Sequence, residues 1–317
     1  MKLVFAGTPE PAVIALQALL DSEHEVVAVL TRPDARKGRG RTLHPSPVKE
    51  LAQQHNIEVL TPETLRADSP EGQQVRQRLA ELSPDAIPVV AYGNLVPTDL
   101  LQAATHGWVN LHFSLLPRWR GAAPVQAAIA AGDEITGATT FRIEEGLDTG
   151  PILGTLTDTI RTTDTAGVLL ERLAHSGAQL LVETMDALEN DSLQAIPQEG
   201  ETSYAAKITT DDARIDWTQP AFIIDRQVRA YSPAPGAWTT MGDSRVKIGQ
   251  VRSLQEQFTE PIPTLAPGEV HIAKKFVAVG TGTAPLIVEQ LQPTGKKMMH
   301  APDWGRGQNT ENKVNFS

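Results

Sequence analysis

Asn110 and His112, in the run WVNLHFSLLPRWRG (108–121), are the side chains of this chain best suited by type and spacing to chemistry. The segment WVNLHF has the apolar character of a strand, and residues two apart on a strand share a face. Asn110 and His112 therefore project together, while Val109, Leu111 and Phe113 project oppositely into a core. An amide donor beside an imidazole can hold a developing oxyanion and take or hold a proton near neutral pH. The carboxyl end of a strand is also the usual active edge of an open α/β sheet. By residue type alone, a capping Asn and a half-buried structural His fit as well. Asp148, in EEGLDTGPIL (144–153), lies between glycines in a turn joining two extended runs. Such a carboxylate either bonds its own backbone or, if the fold carries it to His112, fixes the ring's tautomer and stabilises imidazolium.

Other chemistries find less support. The turn GTPEP after the first strand is not G-x-G-x-x-G, and no G-x-x-x-x-G-K-[ST] occurs, so the glycines that let a backbone approach phosphates are missing. GRG (38–40) sits in a long loop, and GTG (280–282) reads as a hairpin turn. There is no H-E-x-x-H, and the eight His are scattered. With no cysteine, disulfides, thiolate metal sites and cysteine nucleophiles are excluded. No metal is expected.

The elements that must position these groups are legible in outline. KLVFA and EVVAVLT read as buried strands, with GTPEP opening an amphipathic stretch through Leu20. SPVKELAQQH reads as a helix capped by Ser46 with Pro47 at its first position, and PEGQQVRQRLAEL (70–82) as another. DAIPVVAY and WVNLHF follow as strands, with Pro88 expected at the strand's first residue or in a bulge, because proline removes a ladder bond. A helix at 123–131, two extended runs (ATTFRI and PILGTLTDTI) and a long helix at 165–189 complete the pattern. Near-continuous apolar strands alternating with helices imply a mostly parallel sheet covered on both faces. The polar stretch 190–204 lacks periodicity and reads as an interdomain linker. Beyond a helix at 219–230 come GAWTTM, RVKIGQVRSL, GEVHI, FVAVG and APLIVEQLQ, spaced as the strands of a small barrel or sandwich, the oligonucleotide-binding barrel among the options. The final GQNTENKVNFS reads as a loose tail.

The 317 residues suit two domains. Net charge is −10, which excludes a uniformly basic coat for nucleic acid but leaves room for a local basic patch. The charge is uneven: residues 1–192 hold 15 basic and 25 acidic side chains, whereas 193–317 hold 13 of each. The opening apolar run breaks at Gly7, too early for a signal-peptide core, and no stretch approaches the roughly 20 apolar residues that span a bilayer. A soluble cytoplasmic protein with no membrane association is expected.

Taken together, FAGTPEPAV, RPDARKGRGRTLHPSPVKELA, VVAYGNLVP, VNLHFSLLPRWRGAAPVQAAI and GLDTGPIL, then ARIDW, VRAYSPAPGAW and QPTGKKMMHAPDWGRG, run almost the whole length of the chain. In these motifs the chain resembles the methionyl-tRNA formyltransferases. The Asn-x-His…SLLP element with a downstream Asp is shared by the wider folate-dependent formyltransferase superfamily; the basic loop, PSPVK and the C-terminal segments are more specific. The resemblance implies an α/β fold: a Rossmann-like formyltransferase domain with a mostly parallel sheet (1–189), a linker (190–208) and an oligonucleotide-binding-like β-barrel that binds tRNA (209–317). It implies that Asn110, His112 and Asp148 are catalytic. Ser114, Leu115, Leu116 and Pro117, with Val90, Tyr92 and Gly93 of VVAYG (89–93), would bind folate. The donor would be 10-formyltetrahydrofolate and the acceptor initiator methionyl-tRNA, with the enzyme a monomer.

In the same family the loop matching RPDARKGRGR (32–41) enters the acceptor arm of tRNA, which assigns tRNA contacts to Arg36, Lys37, Arg39 and Arg41. Lys207, Lys296 and Lys297 would extend them along the second domain. By charge alone the loop reads rather as a solvated surface feature, and it is the resemblance that reverses this. The chain departs from the family pattern at Pro11, where an aromatic is usual, at Phe113, where many relatives have Gly, and at Pro88 and Asn94. A formyltransferase acting on a sugar amine or on glycinamide ribonucleotide would share the trio and SLLP but leaves the basic loop and GKKM unexplained. A catalytically silent RNA-binding protein leaves the trio itself unexplained.

Overall fold

The computed structural model describes residues 1–37 (the Lys37 side chain excepted), 40, 42–253, 261–308 and 314–317. The chain forms two compact units. One holds Met1–Pro124, Ile135–Thr159 and Leu170–Tyr204; the other holds Val125–Glu134, Ile160–Leu169 and Ala205–Ser317.

The first unit is built on a seven-stranded sheet in the order Ile152–Thr159, Ile135–Arg142, Trp108–His112, Ile87–Val90, Lys2–Gly7, Glu25–Leu30, Glu58–Leu60. The last five run parallel, and the first two add antiparallel at one edge. The chain builds outward from Lys2–Gly7 in one direction, then returns to lay Ile87–Val90 on its other side. Strand order reverses between those two, so a crevice opens at their carboxyl ends. The apolar runs form the central strands because both faces are covered: Leu3, Val4, Phe5, Ala6, Ala28, Val29 and Leu30 are fully buried. Helix starts follow the side chains. Ser46 accepts a bond from the Lys49 amide at 3.0 Å and Ser69 one from Gly72 at 2.9 Å. Pro11 falls in the first turn of the helix Glu10–Leu20, where a missing N–H costs nothing.

Pro88 is the second residue of its strand, in register with Val109, rather than the first or a bulge. The ladder to Lys2–Gly7 pauses between the Leu3–Ala86 bridge and the Ala6–Val89 pair, which brackets the residue that cannot donate. The basic segment is not all loop either, since Ala35–Lys37 pairs antiparallel with Thr42–His44. The stretch 190–204 is laid along the first unit: Ile196 exchanges backbone bonds of 2.7 and 2.9 Å with Ile152.

In the second unit each of the sequence's five β-rich runs contributes a strand. The sheet runs Trp238–Met241, Ser244–Ser253, Leu286–Pro293, Val277–Val279, Glu269–Ile272, Val314–Asn315, with Met299–His300 paired to Leu286–Pro293. Thr240 and Ser317 then exchange backbone bonds of 2.9 and 3.0 Å, drawing the sheet into a nearly closed antiparallel barrel. Residues 314–317 of the expected tail are therefore not loose, while 309–313 lie outside the described residues. Val314 and Asn315 pair with Val270 and Glu269, and Phe316 is buried with its ring 6.0 Å from Trp217 and 5.9 Å from Trp304. A two-residue strand gives too little alternation to be recognised in sequence. Phe316→Ala is expected to destabilise this unit by about 3–5 kcal/mol, the usual cost of emptying a buried aromatic site. Denaturant unfolding followed by tryptophan fluorescence checks it, since two of the indoles pack against that ring, Trp217 stacked and Trp304 tilted.

Candidate active site

The Trp108–His112 strand is fixed from both sides. Asn110 is in register with Val89 on one side and Phe141 on the other, and His112 is opposite Thr139. Val109 and Leu111 turn away into the core. On that face the helix Ala166–Glu189 comes close through Gly177, where even a methyl group would sit 3.2 Å from Leu111. Alternation does the rest and presents Asn110 and His112 together at the strand's carboxyl end. The Asn110 side chain is half-buried, and among the described residues its amide has no hydrogen-bond partner.

His112 is buried, its ring edge-on to Phe141. Its Nε2 lies 2.8 Å from the Trp119 carbonyl oxygen. A carbonyl only accepts, so Nε2 carries the proton and the neutral ring keeps its lone pair on Nδ1. That Nδ1 lies 3.8 Å from Oδ2 of Asp148. The sequence alone could not bring these groups together; the fold does. Burial lowers the His112 pKa below the ordinary histidine value, opposed first by the Asp148 charge and then by the Trp119 carbonyl. The resting pair at neutral pH is thus a carboxylate facing a neutral imidazole, a ring ready to accept a proton and placed where the resulting cation would be stabilised.

Asp148 is held by its surroundings rather than by its own turn. Its Oδ2 accepts from the Gly121 amide at 2.7 Å, and its φ of 52° is left-handed. Trp119, which supplies the carbonyl on the other side of the imidazole, has φ 61°. Two non-glycine residues in that region, both facing one ring, store local strain that the neighbouring structure must hold. Gly150 is required beside them, since a Cβ there would stand 1.7 Å from the Arg142 carbonyl oxygen.

The segment VVAYG leaves its strand next to Asn110, because Val89 and Asn110 are paired. Val90 and Tyr92 are buried, and Gly93 has φ 89°. The Tyr92 carbonyl accepts from Thr8 at 2.8 Å. Asn94, an unexpected residue by family pattern, accepts from Arg32 and donates to Pro62 O, both ends of a brace across the crevice. Ser114, Leu116 and Pro117 are buried and Leu115 half-buried. The Ser114 hydroxyl donates to the Arg118 carbonyl at 2.6 Å, so SLLP forms the turn that leads to Trp119.

The basic positions divide between the units. Arg36 is exposed on its short strand in the first; the Lys37 side chain, Arg39 and Arg41 lie outside the described residues. Lys207, Lys296 and Lys297 are exposed in the second. Residue types did not single out Trp119, Gly121, Gln198 or Ser203. The first two act through backbone atoms, and the last two lie in the stretch without periodicity.

Residues 1–185 match the family model described as formyl transferase, and residues 207–309 match that of the formyl transferase C-terminal domain. The chain is 63% identical over 316 residues to the methionyl-tRNA formyltransferase of Corynebacterium glutamicum, covering 100% of both. It is 54% identical to that of Rhodococcus erythropolis, covering 99% of both. Among solved structures, an N-formyltransferase from Helicobacter canadensis in complex with folinic acid and dTDP-3-aminofucose matches with a TM-score of 0.67 at 19% identity, over 91% of this chain and 98% of that one. The methionyl-tRNA formyltransferase from Clostridium thermocellum matches with a TM-score of 0.56 at 16% identity, over 81% and 95%. At such identities these two structures speak for the fold.

Proposed function

We propose residue roles for this chain from the premise that it belongs to the methionyl-tRNA formyltransferase family. The enzyme transfers a formyl group from 10-formyltetrahydrofolate to the amino group of the methionyl residue on initiator tRNA. The products are N-formylmethionyl-tRNA, used to initiate translation, and tetrahydrofolate.

A free α-amino group titrates near ~7.7, so much of the acceptor is already nucleophilic at neutral pH. Its lone pair attacks the formyl carbon, and the carbonyl electrons move onto oxygen. Asn110 donates to that oxygen as it becomes negative. The nitrogen gives up a proton to Nδ1 of His112, whose Nε2 is already committed to Trp119. Asp148 stabilises the imidazolium so formed. Collapse of the intermediate breaks the bond to N10 of the folate, which takes the proton from His112 as it leaves. The imidazole returns to neutral, and every proton is accounted for. The observation that carries this is the 3.8 Å approach of Asp148 to the one free nitrogen of a buried ring.

Val90, Tyr92 and Gly93, with Ser114, Leu115, Leu116 and Pro117, would bind the folate beside Asn110. Domain limits of 1–189 and 209–317, with 190–208 between them, are supported by the two family matches. A monomer acting in the cytoplasm is part of the same proposal; among the described residues no helix is long and apolar enough to cross a membrane. Labelled formyl transfer to charged initiator tRNA, run beside free amino sugars and glycinamide ribonucleotide, tests the reaction. Transfer to either small amine in preference to tRNA would overturn it.

For tRNA, Arg36, Lys37, Arg39, Arg41, Lys207, Lys296 and Lys297 form the proposed interface. On a chain of net charge −10, binding must depend on such focused positive positions and weaken steeply with salt. Lys296 and Lys297 lie on the turn between Leu286–Pro293 and Met299–His300. Replacing both with Gln is expected to flatten the logarithmic salt dependence of tRNA affinity by about two, one for each phosphate that a lysine no longer neutralises. An unchanged slope would remove these two lysines from the interface.

A further inference from the structure

We propose that Gln198 is a positioning residue for the His112–Asp148 pair, and that residues 196–203 form a strap bracing the imidazole's partners from both sides. The proposal rests on the role assigned to that pair above. Gln198 has a single amide, and all of its hydrogen-bonding capacity is used. Nε2 donates to the carbonyl oxygens of Asp148 and Gly150, each at 2.8 Å. Oε1 accepts from Nε and Nη2 of Arg120 at 3.1 and 2.6 Å. A side chain saturated in this way has nothing left for a substrate. What it does is tie the turn that carries Asp148 to the segment after Trp119.

The other end of the strap holds the opposite wall. Ser203 Oγ accepts from the Trp119 amide at 2.9 Å, and the Ser203 carbonyl accepts from the Arg120 amide at 2.9 Å. Trp119 and Asp148 are the two partners of the His112 ring, and both have left-handed backbones that relax unless held. At its start, just before Gln198, the strap is anchored by the two-way Ile196–Ile152 bridge. The stretch that looked like a mere connection thus sets the spacing of Asp148 from Nδ1. An attraction that acts across 3.8 Å, without a direct hydrogen bond, depends wholly on that spacing.

The test is a pH–rate series on full-length Gln198→Ala and Gln198→Glu, with Asp148→Asn as reference. Glutamate keeps the acceptor for Arg120 and deletes both donors to the Asp148 turn. Both variants are expected to lose about 10- to 30-fold in turnover, with Michaelis constants for folate and tRNA held within about threefold, as for a small misplacement of a catalytic group. For Gln198→Ala the acid limb of the profile should move to lower pH in the same direction as Asp148→Asn, because the carboxylate that raises the His112 pKa has drifted away; Gln198→Glu brings a carboxylate of its own and is read on turnover alone. A side chain that served stability alone would lower the melting temperature and leave that limb in place. Folded Gln198→Ala with the wild-type limb, beside a shifted Asp148→Asn, would overturn the strap. An unshifted Asp148→Asn would bring down the underlying assignment and the strap with it. Should Gln198→Ala not fold, Ser203→Ala removes only the side-chain acceptor for the Trp119 amide. A limb displaced to lower pH then supports the strap, and an unmoved one rejects it.

Discussion

Replacing Asn110 by alanine is expected to slow single-turnover formyl transfer by about two to three decades, the ~2.7–4 kcal/mol typical of losing one oxyanion donor. The size of the effect follows from where the amide sits. Its strand is paired on both sides, so the donor is aimed before substrate arrives and needs no reorganisation as charge develops. Among the described residues it has no partner, so its removal leaves no protein group unsatisfied. The variant should therefore fold normally and bind folate and tRNA nearly as well as the parent. The loss should fall on the chemical step, as expected for an interaction made only in the transition state. Rapid-quench measurement at saturating substrates separates the two cases. A rate within about tenfold of the parent would remove Asn110 from the role of oxyanion donor.

Asp148→Asn should cost about 100-fold and displace the pH profile as well. A full charge 3.8 Å from the ring is worth at most about 4 kcal/mol at an effective dielectric of 20. The Asp148 side chain is 17% exposed, and water screens part of that. The asparagine oxygen can still accept from the Gly121 amide, so the turn should keep its place and the charge alone is removed. His112 must be neutral to take the proton, so activity falls as pH drops through its pKa. Asp148 raises that pKa, and without it the value moves further below the ordinary histidine range. The acid limb therefore moves to lower pH while the neutral-pH rate falls, since the imidazolium formed during reaction has lost its counter-charge. A parental rate together with a parental acid limb would defeat the role.

The fold and half of the site were legible because they rest on patterns that side chains carry. Buried parallel strands must be apolar at nearly every position, and EVVAVL and WVNLHF satisfy that visibly. Period-two alternation placed Asn110 and His112 on one face without any knowledge of tertiary structure. Ser46 and Pro47 announced a helix start because capping is local. The approach of Asp148 to His112 is a different kind of fact. It depends on antiparallel strands at the sheet edge and on a turn held by Gln198, partners 36 to 50 positions apart for which no local pattern exists. The Trp119 carbonyl, which decides which nitrogen of His112 is free, was invisible for a simpler reason: every residue has a carbonyl. Pro88 and Phe316 failed in opposite directions. One looked too disruptive for an interior strand, and the other too isolated to belong to a sheet.

The seam between Thr240 and Ser317 orders events in time. The two sides of the closure lie 77 positions apart in the chain, so no part of the intervening sequence can complete the barrel. Pairing at such separation is entropically slow, as is the Ala6–Val89 pairing at the centre of the first unit, but every segment of that unit has been made by Tyr204. On a translating ribosome, that unit can be assembled while the staves of the second unit still wait for Phe316 to emerge and fill their centre. The unit that carries the proposed catalytic trio is thus ready first, and the portion proposed to grip tRNA is completed last.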